Sequence, residues 1–249
     1  VARAYVLYRE ERARERATQV DSYVAETRSD LNVVKKDGSS APLDVARIRT
    51  IVSEACEGLS DVDAGRIIDE ALNNMYDGIA AQDVATSILI TARTLVEEEP
   101  NYTFVTARLL LDELRTEVLT ALDVSGRGTE ITATQNEMSG YYPIALQHFI
   151  AKGIELELLE PRLSTFNLDA IGAALKPERD HLFTYLGLQT LYDRYFLHWD
   201  EVRLELPQIF FMRVAMGLSI EEDNPTARAI EFYDLLSSFD YMSSTPTLF

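Results

Sequence analysis

Apolar residues recur at three- and four-residue steps through most of the chain, so helix is predicted to dominate the fold. After Asp44, a residue suited to capping, Val45, Ile48, Val52 and Ala55 share one face, and Gly58 ends the element. A second helix runs through "DVDAGRIIDEALNNMY" to the break at Asp77-Gly78. A third runs through "AQDVATSILITARTLVEE" to Pro100, and a fourth through "YTFVTARLLLDELRTEVL". Ahead of them the period shortens: "NVVKK" and "SAPL" flank Asp37-Gly38, which predicts two extended pieces joined by a tight turn. A two-stranded hairpin does not stand alone in water, so it is expected to lie over the four helices and close a core with them.

Residues 121–140, "ALDVSGRGTEITATQNEMSG", are polar, contain glycine and lack a period, and are expected to form a linker or loop. From Tyr141 the helical pattern returns in "PIALQHFIAKGIEL", "RDHLFTYLGLQTLYDRYFLH", "LPQIFFMRVAMGLSI" and "NPTARAIEFYDLLSSF". In the closing "DYMSSTPTLF", Ser, Thr and Pro are expected to turn the helix into an extended segment. An apolar terminus would leave Leu248 and Phe249 exposed or without a partner strand, so the fold is expected to continue past Phe249. Residues 1–31 contain the charge-rich "EERARERATQVDSYVAETRSD" and read as the end of a helix followed by a linker.

Composition narrows what such a chain can do. Apolar residues make up 47% of it, enough to bury sizeable cores, while the formal net charge of −18 opposes nonspecific attraction to nucleic acid. Small phosphates remain compatible with a local cationic site. No apolar stretch reaches bilayer length and no secretory signal is visible, so the expected location is the cytoplasm, away from membranes. Cys56 is the sole cysteine; it excludes an intrachain disulfide and reads as a small apolar residue rather than a nucleophile. His148, His181 and His198 are far apart and form no HxxxH pair, so no bound transition metal is expected. The carboxylates at 97–100 and 155–161 read as solvated helix ends, and the aromatic groups "HLFTYL", "DRYFLHW" and "QIFFM" as core. Arg179, Arg194 and Arg213 are expected to pair with carboxylates that the sequence does not single out.

Three stretches in order, "VVKKDGSSAPLDVARI", "MYDGIAAQDVATSIL" and "FVTARLLLDELR", resemble the ATP-cone, a regulatory nucleotide-binding module. Downstream, "LFTYLGLQTLYDRYFL", "ELPQIFFMRVAMGL" and "FYDLLSSFDYMSSTPTLF" resemble the helical region that leads into the catalytic barrel of the class I ribonucleotide reductase large subunit. The opening "VARAYVLYREERARER" resembles the closing helix of another cone, which implies two in tandem. The implied fold class is mainly α: a cone with a small β-hairpin capping a four-helix bundle, then the helical start of the reductase domain. The implied domains are the end of a preceding cone and linker at 1–31, a cone at 32–120, a linker or loop at 121–140, and the reductase region at 141–249, stopping before the barrel.

The resemblance implies an enzyme that reduces ribonucleotides to deoxyribonucleotides by radical chemistry. Its implied partners are a small radical-generating subunit and further copies of the large subunit, and its effectors are ATP and dATP with Mg2+. Cys56 matches none of the family's redox cysteines, so no catalytic residue is expected in this piece. In a cone, Lys35 and Lys36 would correspond to the cationic pair on the hairpin and Arg47 to a basic residue one turn into the first helix. Other positions have lost the family's polar groups: Ala41, Ala81 and Ala85 offer only methyls, and Thr116 and Glu117 stand where a lysine is common. Each missing charge-assisted bond forfeits about 1.5–3 kcal/mol, so nucleotide binding by Lys35, Lys36 and Arg47 is expected to be weak or lost. The effectors would then act mainly at the preceding cone. In "SSTPTLF" the resemblance carries over Thr245 as a substrate contact, acting through its backbone and hydroxyl on a ribose or phosphate; the alternative is a plain strand start. Two other readings are a nucleotide-responsive transcriptional regulator, which would require a cysteine-rich zinc ribbon, and a purely structural assembly module.

Overall fold

The computed structural model of the protein describes residues 31–35 and 38–248, and it divides into two compact units after Leu109. The helix end expected within residues 1–30, Lys36 and Phe249 lie outside the described residues.

In the first unit, β1 (Asn32–Val34) and β2 (Ser40–Pro42) pair antiparallel with Val33 opposite Ala41. The hairpin gains a third strand that the sequence reading did not include: β3 (Ile79–Ala80) lies parallel to β1 on its other side, giving the order β2-β1-β3. What seats β3 is the turn before it. The Asp77 carboxylate accepts from the backbone and side-chain nitrogens of Asn32 at 2.8 and 3.0 Å, and the Gly78 amide donates to the Asn32 carbonyl at 2.8 Å. Gly78 has φ +81°, a conformation that costs glycine little. Those bonds hold the Asp77 carboxyl below its usual range.

Three helices follow the pattern of apolar residues: α1 (Val45–Cys56), α2 (Ala64–Asn74) and α3 (Ala81–Thr94). The start of α4 (Tyr102–Ala121) completes the unit. Asp44 and Asp63 cap α1 and α2 by accepting from the amides of Arg47 and Arg66 at 2.8 and 3.2 Å. Ile48, Val52, Ile67, Leu72, Ile79, Ile88 and Val105 meet in one core, where each buried aliphatic side chain contributes about 1.5–3 kcal/mol. Of the carboxylates at 97–100, Glu98 takes two bonds from Arg66 at 2.7 and 2.8 Å, and Glu99 accepts from the Asn101 amide at 3.0 Å. The first is an exposed ion pair and the second closes a helix entrance.

The second unit is built round α8 (Pro207–Ser219), whose residues Pro207 to Met216 are all buried. Such a helix must be enclosed on every side, and α9 (Pro225–Ser237) and α5 (Met138–Glu155) pack against it. The short α6 (Leu168–Ala174), which the periodicity did not single out, is capped by Asn167. The aromatic groups pack inside this unit: the Phe196 and Phe210 rings meet edge-on at 5.5 Å, and Phe183 stacks on Phe211 at 6.2 Å.

Three segments differ from expectation. Within 121–140, Ile131 and Ala133 are buried, the Ile131 amide donates to Thr120 Oγ1 at 3.0 Å, and Thr134 with Glu137 forms a capping box into Gln135–Glu137 and α5. The stretch "RDHLFTYLGLQTLYDRYFLH" is a 3-10 turn, then α7 (Tyr185–Arg194) capped by Thr184, then a strand. That strand, β4 (His198–Trp199), pairs with β5 (Val202–Arg203) across Asp200 and Glu201, which take φ +47° and +66° without any glycine to announce the turn. Finally, Thr245–Thr247 form a 3-10 turn rather than an extended segment, and Leu248 is buried.

Gly153 in α5 marks one tight contact, since a methyl group there would lie 2.5 Å from Leu159 Cδ1. Gly153→Ala is therefore expected to cost about 1–3 kcal/mol through overpacking, measured by urea unfolding.

Candidate functional site

Two places in the chain were singled out from its sequence: the corner of the first unit and the turn at Thr245. At the corner, β1 ends at Val34 and the next residue, Lys35, is exposed. Its amide donates to the Ser39 carbonyl at 2.8 Å and its carbonyl accepts from the Gly38 amide at 2.9 Å, so both backbone groups of Lys35 are engaged. Arg47 is half-buried in the first turn of α1. The Asp44 carboxylate already occupies the amide end of α1, where a phosphate would otherwise find donors. At the start of α3, Ala80 provides no capping side chain, Ala81 is exposed, Ala85 is half-buried, and Asp83 puts a negative charge into the first turn. Both helix entrances thus present carboxylates, which favour the helix dipole and oppose an anionic ligand.

Thr116 and Glu117 fall in the second unit. Thr116 Oγ1 donates back to the Asp112 carbonyl at 3.1 Å. Glu117 accepts from the Arg203 amide at 2.7 Å and from the Tyr192 hydroxyl at 3.0 Å, which ties α4 to α7 and the β4–β5 hairpin. Its carboxylate has a structural task within its own unit. Cys56, the last residue of α1, is partly buried, and burial pushes its thiol up to about 11, which leaves it protonated and poorly nucleophilic. Beside it Arg108 donates to the carbonyls of Ala55 and Glu57 at 3.0 and 2.7 Å, closing the end of α1.

Around Thr245 the geometry is more constrained. Thr245 is exposed, and its hydroxyl lies 3.1 Å from the Tyr195 hydroxyl just beyond α7. The Thr247 and Leu248 amides donate to the carbonyls of Ser244 and Thr245 at 3.0 and 3.1 Å, which defines the turn. From below, Arg213 of α8 donates to the Leu248 carbonyl at 3.2 Å. Arg213 is also paired with Glu205 at 2.5 Å, and Glu205 accepts from the Leu197 amide at 2.7 Å. Glu205 is fully buried and Arg213 nearly so. Neither was identified as a site residue from sequence, although Glu205 and Arg213 are the only charges in "LELPQIFFMRVAM", and charges inside an apolar run must find partners.

A second buried polar group lies in the same unit. Asp180 accepts from the Tyr142 hydroxyl and from Gln208 Nε2, both at 2.8 Å, and Gln208 Oε1 accepts from the Tyr233 hydroxyl at 2.7 Å. Burial pushes the Asp180 carboxyl up to about 6, against the lowering effect of the Arg115 charge and the two hydrogen bonds. Arg179, as anticipated, pairs with a carboxylate, that of Asp234 at 3.0 Å.

Residues 31–117 match the family model described as ATP cone domain, and residues 181–249 match that described as ribonucleotide reductase, all-alpha domain. The whole chain is 40% identical to a ribonucleoside-diphosphate reductase subunit alpha of Chlamydia muridarum, over 23% of that protein's length. It is 33% identical over 88% of its length to the same subunit of Helicobacter pylori, and 27% identical over 88% to the large subunit of Danio rerio, covering 26% of each. The chain spans about a quarter of the length of these curated relatives.

Proposed function

We infer that the chain belongs to the ribonucleotide reductase large-subunit family, as an ATP cone followed by the family's all-alpha region, and that the parent protein reduces ribonucleoside diphosphates to deoxyribonucleotides in the cytoplasm. The observation that carries this reading is the 40% identity sustained along the entire chain. A separate small subunit supplies the radical, and large subunits associate with one another. This piece contributes no thiol chemistry, because Cys56 sits in the cone, partly buried and protonated. Its contributions are regulation and a wall of the substrate site, where the Thr245 hydroxyl and backbone face the ribose or phosphate of the substrate. The full-length polypeptide, mixed with its small subunit, is expected to reduce CDP in the presence of ATP; no turnover with either ATP or dATP present overturns the reading.

The cone at 31–117 is a degenerate copy retained for packing and subunit contact, and ATP or dATP with Mg2+ acts at a cone preceding it. Supporting this are the carboxylates of Asp44 and Asp83 at the two helix entrances and the bare methyls of Ala81 and Ala85. Loss of two charge-assisted bonds weakens binding by about 3–6 kcal/mol, roughly a hundredfold to ten-thousandfold. Calorimetric titration of dATP with Mg2+ into this chain is expected to show no micromolar binding. Micromolar affinity that disappears in Lys35→Ala/Lys36→Ala would restore the corner to a working site.

A further inference from the structure

We infer that the buried Glu205–Arg213 pair is a positioning device for the Thr245 turn, fixing the height and orientation at which that turn meets the substrate. The inference rests on the reading of Thr245 as a substrate contact.

Three observations converge on the pair. The first is its cost: two charges sit fully or nearly fully buried on neighbouring parts of the chain, an arrangement that apolar residues of similar volume could replace without loss of stability. Packing alone gives no reason for charge here. The second is where the spare hydrogen-bonding capacity goes. Arg213 uses Nε at 2.5 Å and Nη2 at 3.3 Å to hold Glu205, and the same Nη2 reaches the Leu248 carbonyl at 3.2 Å. Glu205 in turn fixes the Leu197 amide at 2.7 Å, on the strand side of the residues that follow Tyr195. The third is that Tyr195 is the residue whose hydroxyl touches Thr245, at 3.1 Å.

The pair therefore holds both sides of one small frame. Through Leu248 it fixes the closing end of the 3-10 turn, and through Leu197 it fixes the segment bearing the Tyr195 hydroxyl. Arginine suits this role because its planar fork can satisfy a carboxylate and a carbonyl in one fixed geometry, whereas lysine offers a flexible point charge. Glu205 and Arg213 need not touch substrate; they act through the turn.

The test uses the full-length enzyme with its small subunit and the double variant Glu205→Gln/Arg213→Met. This change leaves no unpaired charge, keeps an acceptor for Leu197 and removes the donor to Leu248. Peptide-level hydrogen exchange over residues 243–248 is expected to rise at least tenfold, and KM for the ribonucleotide to rise about tenfold with a smaller fall in kcat. Unchanged exchange in a folded double variant overturns the inference. Raised exchange with unchanged KM, accompanied by an unaffected Thr245→Val, upholds the frame and overturns the substrate reading beneath it. If the double variant does not fold, Arg213→Lys carries the same two readouts, since it keeps the charge beside Glu205 and removes the second arm of the fork.

Discussion

Arg213→Met alone is expected to destabilise the second unit by about 3–5 kcal/mol, because it strands the fully buried Glu205 carboxylate without its charge partner. Trp199, the single tryptophan, lies in this unit, so its fluorescence during urea unfolding of this chain reports the loss directly. The stranded carboxylate draws the surrounding segment open, which loosens the Leu197 and Leu248 attachments. Glu205→Gln added to Arg213→Met removes the stranded charge and is expected to recover most of the deficit. A single variant within about 1 kcal/mol of the parent would mean that the carboxylate is not desolvated as the structure has it.

The second large effect is at Asp180. Asp180→Ala leaves the Tyr142 hydroxyl and the Gln208 amide without their acceptor inside the core, at about 1–3 kcal/mol for each orphaned group. The carboxyl also makes this unit sensitive to pH. Its folded pKa of about 6 lies above the ordinary 3.8, so between those values the folded chain holds a proton that the unfolded chain has released. The resulting stability is fully present below the unfolded value and is lost as pH rises through about 6, to the extent of about 3 kcal/mol. Asp180→Asn cannot ionise. The stability of the parent chain relative to this variant is expected to fall as pH is raised from about 4 to 7, and a relative stability that stays constant over that range would sink the assignment.

Much of the helical architecture could be read from residue spacing because its helices are amphipathic and conventionally punctuated. Asp44, Asp63 and Asn224 cap the helices whose apolar faces follow them, and Pro207 and Pro225 open theirs. What escaped did so for more than one physical reason. Strand β3 is two residues long, too short to show a period, and is fixed by Asn32 and Asp77, 45 residues apart. The β4–β5 turn places Asp200 and Glu201 in a left-handed conformation that neither residue advertises. The ordered stretch before α5 was missed for a different reason: "TQNE" carries a capping-box signature that the surrounding polarity obscured.

The candidate sites divide in the same way. Lys35, Arg47 and Thr245 could be identified only through family likeness, since nothing local distinguishes a cation on a hairpin or a threonine in a polar turn. Glu205 and Arg213 were visible as charges in apolar surroundings, yet their mutual pairing and the bond to Leu248 depend on how α8 lies beneath the Thr245 turn. Glu117 shows the opposite case. It stands where the family likeness puts a lysine, and its oxygens are engaged by Tyr192 and Arg203.

The sheet of the first unit has a consequence for how the protein behaves in crowded solution. Its outer strands are only three and two residues long, and β2 ends on Pro42, which has no amide hydrogen to offer a neighbour. Exposed strand edges invite other chains to add on, but here a docking strand would find too few groups to bind stably. The first unit can therefore persist without becoming a seed for fibres.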